Sequence, residues 1–191
     1  MKKTALILAA SKGRRMRSAY LGTPKACFPI LGKPMVNYVA SALSGAGFAR
    51  VLTVVGYKAE EVRKALESQS EFILQEKENG TADAVFAAKS LLEGEDGLLL
   101  ICPGDMPLLS EKTLSALLSS HQTSHNDVTV LTAIVFDPHG YGRILKEGGH
   151  IKRIVEQKDC GFDEDSIHEV NTGVYVADSR TLLSYLEKFH D

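Results

Sequence analysis

The chain has 191 residues, 44% of them hydrophobic and 24% charged, with a formal net charge of -2 at pH 7. This length supports one domain whose core buries roughly 70% of the surface of the unfolded chain. The mixed charge excludes a disordered or fibrous chain, and the slightly acidic balance argues against a nucleic-acid-binding protein. No run approaches the roughly 20 apolar residues that span a bilayer. We therefore expect a soluble enzyme or binding domain with no nucleic-acid and no membrane partner.

The N-terminal apolar segment Thr4–Ala10 superficially resembles a secretory leader, but it is short and a charged turn follows it at once. The cysteines are odd in number and widely spaced, which indicates reduced thiols in a cytoplasmic protein rather than a disulfide framework. They are Cys27, Cys102 and Cys160. Cys102 follows an apolar run, so we expect it in the core and not as a catalytic thiol.

Strands and helices are predicted to alternate through the first two thirds of the chain. In chain order they are a strand at Ala5–Ala9, a helix that starts after Pro34 and stops at Gly45 and Gly47, a strand at Val51–Val55, a helix at Ala59–Glu67, a strand at Glu71–Gln75, a helix at Thr81–Leu92, a strand at Leu98–Cys102, a helix from Ser110 to about His121 and a strand at Asp127–Phe136. Thr81 and Ser110 are expected to cap their helices.

The pattern changes after this alternation. Arg143–Lys146 and His150–Glu156 flank Gly148-Gly149, which predicts an antiparallel hairpin, and Glu169–Ala177 predicts a further strand. We therefore expect an α/β fold with a doubly wound, mostly parallel, Rossmann-like sheet and a small late antiparallel lobe. A ligand would lie outside the carboxyl ends of the parallel strands.

A phosphate-binding turn is predicted directly after the first strand. Gly13 would supply the turn and its backbone donors, while the nearby cations would meet phosphate oxygens. These cations are Lys12, Arg14, Arg15 and Arg17. Neither G-x-x-x-x-G-K-[ST] nor G-x-G-x-x-G is present. The turn alone leaves open a solvated helix start or a nucleic-acid patch.

A carboxylate is predicted at the ligand end of the central strand, in the sequence Pro103-Gly104-Asp105. Asp105 would be a hard oxygen ligand for Mg²⁺, and Gly104 would let a ligand approach the backbone closely. The alternative is an aspartate that caps the next turn.

Other polar residues carry weaker signals. Lys25 could reach an α-phosphate, although alone it would be a surface lysine. Gln75, with Gly80 and Thr81 after it, offers an amide edge that could read a pyrimidine. By contrast, we expect His121 and His125 to form a solvated helix terminus rather than a zinc pair, and Asp159–Asp165 to form a solvated loop.

The motifs, taken together and in order, resemble the sugar-1-phosphate nucleotidyltransferases, most closely the uridyltransferase domains of the bifunctional N-acetylglucosamine-1-phosphate uridyltransferases. The resemblance runs from Leu6 to about Ala177. It is carried by Leu8-Ala9-Ala10 with Gly13 and Arg15-Met16, Pro24-Lys25, Leu31-Gly32-Lys33-Pro34-Met35, Gln75, Gly80-Thr81-Ala82, Gly104-Asp105, Gly140-Tyr141-Gly142-Arg143-Ile144, Ile154-Val155-Glu156 and Asn171-Thr172-Gly173.

The resemblance implies UTP and N-acetylglucosamine-1-phosphate as substrates, Mg²⁺ as cofactor, and direct in-line attack on the α-phosphorus with no covalent enzyme intermediate. The product would feed cell-wall and lipopolysaccharide precursor synthesis. Arg15 would contact the leaving pyrophosphate, Lys25 the α-phosphate and Asp105 the metal. Further substrate contacts are implied for Leu8, Ala9, Ala10, Ser11, Gly13, Pro103 and Gly104, uracil and ribose contacts for Gln75, Gly80 and Thr81, and amino-sugar contacts for Gly142, Glu156 and Asn171.

The chain departs from the family pattern at several positions. Ser11 stands where the family usually has glycine, Pro103 where it has tyrosine and Asp83 where it has histidine. A positive φ at Ser11 would impose strain of about 1 kcal/mol or more.

We also expect the 191 residues to be a truncated nucleotidyltransferase domain. The resemblance implies that a second metal ligand and an acetyltransferase domain lie beyond this point, and that the full-length relative is a homotrimer through that domain. We therefore expect weak or no turnover from these residues alone.

Two other functions stay open. One keeps the fold but uses another base or another acceptor, such as glucose-1-phosphate or a molybdopterin. The other is a non-catalytic sensor of nucleotides or sugar nucleotides, which the replacement at Ser11 and the truncation would suggest.

Overall fold

The computed structural model describes residues 2–13, 22–76 and 80–190. The chain divides into two compact units, Met1–Thr129 with Val176–Asp191, and Val130–Tyr175. Among the described helices, none combines the length and the apolar character that crossing a membrane requires.

Most of the described secondary structure belongs to the first unit. In chain order it contains β1 (Lys2–Ala9), β2 (Pro29–Ile30), β3 (Lys33–Pro34), α1 (Met35–Gly45), β4 (Arg50–Val55), α2 (Ala59–Ala65), β5 (Glu71–Leu74), α3 (Thr81–Ala87), α4 (Lys89–Leu92), β6 (Gly97–Pro103) and α5 (Glu111–Ser124). The second unit contains most of β7 (Val128–Ile134), then β8 (Arg143–Glu147), β9 (His150–Val155), α6 (Phe162–Asp165) and most of β10 (Glu169–Asp178). The helix α7 (Ser179–His190) belongs to the first unit.

The centre of the first unit is a parallel sheet in the strand order β5-β4-β1-β6. Leu6 pairs with Leu52 on one side and with Ile101 on the other, and all three side chains are buried. Strands that are apolar on both faces are typical of parallel sheets covered on both sides. The carboxyl ends of β1, β4 and β6 lie together, because Leu8 pairs with Pro103 and Ala9 with Val55.

The second unit is antiparallel where the sequence predicts a hairpin. β8 and β9 pair through Ile144 and Ile154, with Gly148 and Gly149 at the turn, and β10 pairs with β7 and with β8. These observations confirm the α/β class, the mostly parallel sheet and the late antiparallel part. All of the predicted strands are present, with ends that shift by one to three residues.

The predicted helix Thr81–Leu92 is wrong in two respects. It is two helices, α3 and α4, because Ala88 N–H donates to Val85 O and so breaks the α-helical ladder. Thr81 does not cap it: Gly80 is the cap residue at φ 118°, a conformation that glycine adopts readily, and Thr81 is the first helical residue. Ser110 does cap α5, since its Oγ accepts from Thr113 N at 3.1 Å.

Two segments predicted as solvated are confirmed in part, since His125 is an exposed helix end and most of Asp159–Asp165 is exposed, but each differs from the prediction in one respect. His121 is buried, and its Nδ1 lies 2.8 Å from Thr129 Oγ1, whereas His125 is exposed and ends α5 at φ 50°. The acidic stretch Asp159–Asp165 contains α6 instead of an irregular loop, and Asp165 forms an ion pair with Arg143.

Candidate functional site

A cleft of about 180 Å³ lies at the carboxyl ends of β1 and β6 in the first unit. It brings together two of the three predicted catalytic residues, Lys25 and Asp105, with part of the segment at the end of β1. Its lining residues are Leu8, Ala9, Ser11, Lys25, Ala26, Thr81, Pro103 and Asp105. A second cleft of about 230 Å³ shares Leu8, Ser11 and Thr81 with it. The second cleft is lined by Leu8, Ala10, Ser11, Gln75, Gly80, Thr81 and Ala84.

Lys25 and Asp105 form an ion pair inside the first cleft. Lys25 begins a short 3-10 helix after Pro24, and Asp105 follows the end of β6. Both side chains are partly exposed, at 26% and 20%. The ion pair joins the predicted phosphate-binding cation to the predicted metal-binding anion, so each side chain has the other as its partner.

Gly104 positions Asp105 through close packing on β1. Its N–H donates to Leu8 O at 2.9 Å, and a Cβ at residue 104 would lie 3.2 Å from Ile7 Cγ2. The same Cβ would lie 3.3 Å from Ala9 Cβ. Gly104 therefore allows the end of β6 to pack closely against β1. Close approach of a ligand to the Gly104 backbone stays a prediction.

The turn after β1 accommodates serine without strain. Ser11 is not among the described non-glycine residues with positive φ, and its Oγ accepts a 3.3 Å hydrogen bond from Gly13 N. Gly13 itself has φ 68°. The serine thus stabilises the turn through a local hydrogen bond. The predicted pyrophosphate ligand Arg15 lies outside the described residues, as do Arg14 and Arg17.

Gln75 lies directly after β5 and is buried at 7% exposure. Its Nε2 donates to Gly80 O at 3.4 Å and to Asp83 Oδ2 at 3.3 Å. Both amide N–H groups are then engaged within the protein, and the carbonyl oxygen is the group that the amide offers to a ligand. Asp83, one of the family departures, has a role in the structure because it orients this amide.

The three predicted sugar-site residues lie together in the second unit. Asn171 N donates to Gly142 O at 2.8 Å. A Cβ at residue 142 would lie 3.3 Å from Glu156 Oε1 and 3.6 Å from Asn171 Cβ. The same Cβ would lie 3.0 Å from Ile154 Cγ2, so a side chain at residue 142 would require its neighbours to shift.

A buried arginine next to Gly142 in the chain organises this part of the second unit, and no structural role was predicted for it. Arg143 is 1% exposed, and its guanidinium donates to Tyr141 O, to Gln157 Oε1 at 2.8 Å and to Asp165 Oδ1 at 3.2 Å. Gln157 Oε1 also accepts from Gly140 N at 3.0 Å. The network ties the turn before β8 to the segment after Glu156. The network joins residues 140–143 to Gln157 and Asp165, which lie 14 and 22 residues after Arg143. The one sign of it in the sequence is an arginine within a predicted strand.

Among the described residues that line these two clefts, Asp105 is the one with a carboxylate. Among the described residues, no three histidine, cysteine, aspartate or glutamate side chains form a metal-binding group. Mg²⁺ is commonly held by one or two carboxylates together with substrate phosphates and water. The donor set at Asp105 therefore fits Mg²⁺ that arrives with a polyphosphate.

Neither of the two cysteines in the first unit is an activated nucleophile. Burial, with a smaller effect of the Glu61 charge, raises the pKa of the Cys27 thiol to about 11, and burial raises the pKa of the Cys102 thiol to about 12. The core location predicted for Cys102 is confirmed. Both thiols stay protonated near neutral pH, so neither supplies a thiolate for covalent catalysis.

Residues 5–144 match the family described as the MobA-like NTP transferase domain. The chain belongs to this family. The match covers the predicted phosphate-binding turn, both clefts and the start of β8.

Curated relatives of this NTP transferase domain are named bifunctional protein GlmU. The one from Geobacillus thermodenitrificans is 44% identical over 189 residues, which is 98% of this chain and 40% of the relative. Those from Bacillus mycoides and Listeria monocytogenes are 45% and 42% identical, covering 96% and 97% of this chain. The resemblance to the uridyltransferases is confirmed, and the chain spans 40% of the length of these relatives.

A solved structure from Bacillus anthracis, described as a glucose-1-phosphate thymidylyltransferase in complex with sucrose, has the same fold as this NTP transferase domain. The TM-score is 0.78, with coverage of 97% of this chain and 75% of the other. At 21% identity this similarity shows the fold alone.

Proposed function

We propose that the chain joins UTP and N-acetylglucosamine-1-phosphate to give UDP-N-acetylglucosamine and pyrophosphate, in the cytoplasm. The observation that best supports this proposal is the Lys25–Asp105 ion pair, which lies in a cleft that adjoins the cleft of the Gln75 amide. Relatives named for a bifunctional protein GlmU support this choice of substrates.

The Gln75 amide favours a uracil or thymine base. Its carbonyl oxygen can accept from the N3–H of uracil, whereas N3 of cytosine is an acceptor and would meet the oxygen unfavourably. A purine presents a different edge in the same place. Asp83 and Gly80 O hold the amide in this orientation through its nitrogen.

Lys25 would neutralise the α-phosphate on the nucleotide. Asp105 would hold Mg²⁺, which supplies charge neutralisation and orientation for the triphosphate when it is bound. Since neither cysteine of the cleft-bearing unit has an activated thiol, catalysis would rest on orienting two anions and lowering their repulsion.

The acceptor would be held by the second unit. Glu156 can accept from sugar hydroxyl groups and Asn171 can both donate and accept, which suits a hydroxyl-rich ring with an acetamido group. In the reaction, a phosphate oxygen of the acceptor forms a bond to the α-phosphorus. The bond from the α-phosphorus to the bridging oxygen breaks, and pyrophosphate leaves with the electron pair.

The test measures pyrophosphate release from UTP and N-acetylglucosamine-1-phosphate with Mg²⁺, in a chain extended past Asp191. We expect the Asp105→Asn variant to lose at least about 100-fold in kcat, because it loses the charged metal ligand. Asp163→Asn, at an exposed aspartate of α6, is the matched control and should retain activity. Unchanged turnover in Asp105→Asn would reject the metal role.

A panel of ligands separates the alternatives. A ligand at about 100 times its dissociation constant stabilises the protein by about 2.7 kcal/mol, which a thermal shift detects. Stabilisation by GTP but not by UTP would reject uridyl transfer. Stabilisation by UTP and UDP-N-acetylglucosamine without any pyrophosphate release would favour a sensor.

A further inference from the structure

Asn171 is held in one orientation by three hydrogen bonds. Its backbone N–H donates to Gly142 O at 2.8 Å, and its Oδ1 accepts from Gly173 N at 3.0 Å. Its Nδ2 donates to Tyr175 Oη at 2.7 Å. The two side-chain bonds fix which end of the amide is oxygen and which is nitrogen.

The backbone of β10 makes the contact with Tyr175 possible. Residues 171, 173 and 175 share one face of a strand, but in a regular strand their outer members would be about 13 Å apart at Cα. Gly173 has φ 79°, so the strand bends there, and the glycine places no side chain between Asn171 and Tyr175. The tyrosine ring can therefore bring its hydroxyl to the amide.

The Tyr175 hydroxyl remains protonated at neutral pH. Burial raises its pKa, and the Glu156 charge raises it further, while the hydrogen bond from Asn171 acts in the opposite direction. Because Tyr175 Oη already accepts a hydrogen bond from Asn171, the Tyr175 O–H group is available to donate to a different acceptor. Glu156 thus lies near enough to influence the tyrosine electrostatically.

We propose that Tyr175 is a positioning residue of the acceptor-sugar site: it fixes the Asn171 amide so that its second N–H and second lone pair meet the sugar. This inference rests on the proposed function, because it assigns the Gly142, Glu156 and Asn171 group to the acceptor. It predicts that the hydroxyl affects recognition of the sugar phosphate and leaves recognition of UTP unchanged.

The test is Tyr175→Phe, which keeps the ring and removes only the hydroxyl. We expect KM for N-acetylglucosamine-1-phosphate to rise roughly 2- to 10-fold, the contribution of one hydrogen bond, with KM for UTP unchanged. Tyr185→Phe, at a half-exposed tyrosine of α7, is the matched control and should change neither constant. An equal rise in both KM values, or no rise in either, would overturn the proposal.

A double-mutant cycle separates positioning from a direct contact. If Tyr175 acts through Asn171, the Tyr175→Phe change should have no further effect on KM in an Asn171→Ala background. The same additional rise in both backgrounds would overturn the proposed route through Asn171.

Ligand binding distinguishes failure of this inference from failure of the proposed function. If a chain extended past Asp191 binds N-acetylglucosamine-1-phosphate without turnover, the transferase proposal fails, and the same cycle is measured on Kd by calorimetry. Absence of sugar-phosphate binding by the wild-type chain would overturn both.

Discussion

Gly56 leaves no room for a side chain at the edge of the second cleft. A Cβ at this residue would lie 2.9 Å from Ala10 Cβ and 3.2 Å from Ala10 O. It would also lie 3.3 Å from Gln75 O. Two of these three neighbours are backbone atoms, which cannot move independently of the strands. The packing at this one residue therefore sets the distance between the segments that carry Ala10 and Gln75.

We predict that Gly56→Ala destabilises the protein by about 1–3 kcal/mol, because the added methyl group overpacks a rigid contact. Urea unfolding measures the change. Adding Ala10→Gly should restore part of the loss, since it removes the nearest of the contacting atoms. A neutral Gly56→Ala would show that the two segments can separate without cost.

At the residue scale, the sequence predicts which residues lie near the ligand better than it predicts which side chains contact each other. Asp105 was predicted near the ligand from its place after a strand end, whereas Lys25 was assigned there by the family resemblance, since alone it would be a surface lysine. Their ion pair was not predictable, since it joins a residue before α1 to one after β6. The hydrogen bond from Gln75 to Asp83 likewise depends on how α3 packs.

Helix α5 carries a buried titratable group. Burial lowers the pKa of His121 below its ordinary value of 6.5, although the charges of Asp178 and Asp127 act in the opposite direction. The unfolded chain therefore binds a proton at a higher pH than the folded chain does. By linkage, the stability contributed by the neutral imidazole is present above about pH 6.5 and is lost as pH falls below it.

We predict that the free energy of unfolding decreases between pH 7.5 and pH 5.5 more in the wild type than in His121→Gln. Urea unfolding at several pH values measures both slopes. His125→Gln, which changes the exposed histidine at the end of α5, should keep the wild-type slope. Identical slopes for all three proteins would contradict the effect of burial.

At the element scale, periodicity and glycine placement predicted the parallel strands and the β8–β9 hairpin. Several features of the described residues were missed, including the whole of α7 at the C-terminal end. The β2–β3 hairpin is short, with Leu31 at φ 49° and Gly32 at φ 80°, and two-residue strands have no readable period. The break at Ala88 divides a segment of continuous helical character. The helix α6 was not predicted because most of its residues are acidic, which is typical of a solvated loop. Its ion pair joins Asp165 to Arg143, a residue distant in sequence.

At the scale of the whole molecule, thiol accessibility distinguishes the core from the surface. Cys102 is fully buried within β6, whereas Cys160 is partly exposed and its Sγ donates to Glu156 O at 3.4 Å. Alkylation requires a thiolate that the reagent can reach. Cys102 should therefore react only after the β1–β6 part of the sheet opens.

We predict that iodoacetamide at pH 7.5 modifies Cys160 well before Cys102, and that Cys102 modification rises in step with global unfolding in urea. Peptide mass spectrometry follows each site. Cys160→Ser serves as the control, because it should leave the urea dependence at Cys102 unchanged. Rapid native-state modification of Cys102 would contradict its place in a stable core.

The whole-chain fold was predictable because the alternation of strands and helices extends over more than a hundred residues, and such long patterns outweigh local errors. The division into two units was not predicted. Only the structure shows that β10 passes from one unit to the other at Tyr175, because the strand is continuous in sequence.

In the first cleft, the positive charge of Lys25 is balanced by the negative charge of Asp105. A lone divalent cation would have to displace the ammonium group, and a lone nucleotide would have to displace the carboxylate. Arriving together, each ligand releases the side chain that the other requires. With the roles proposed for Lys25 and Asp105, the pair would couple the binding of cation and nucleotide, and by reciprocity each would increase the affinity for the other by the same factor.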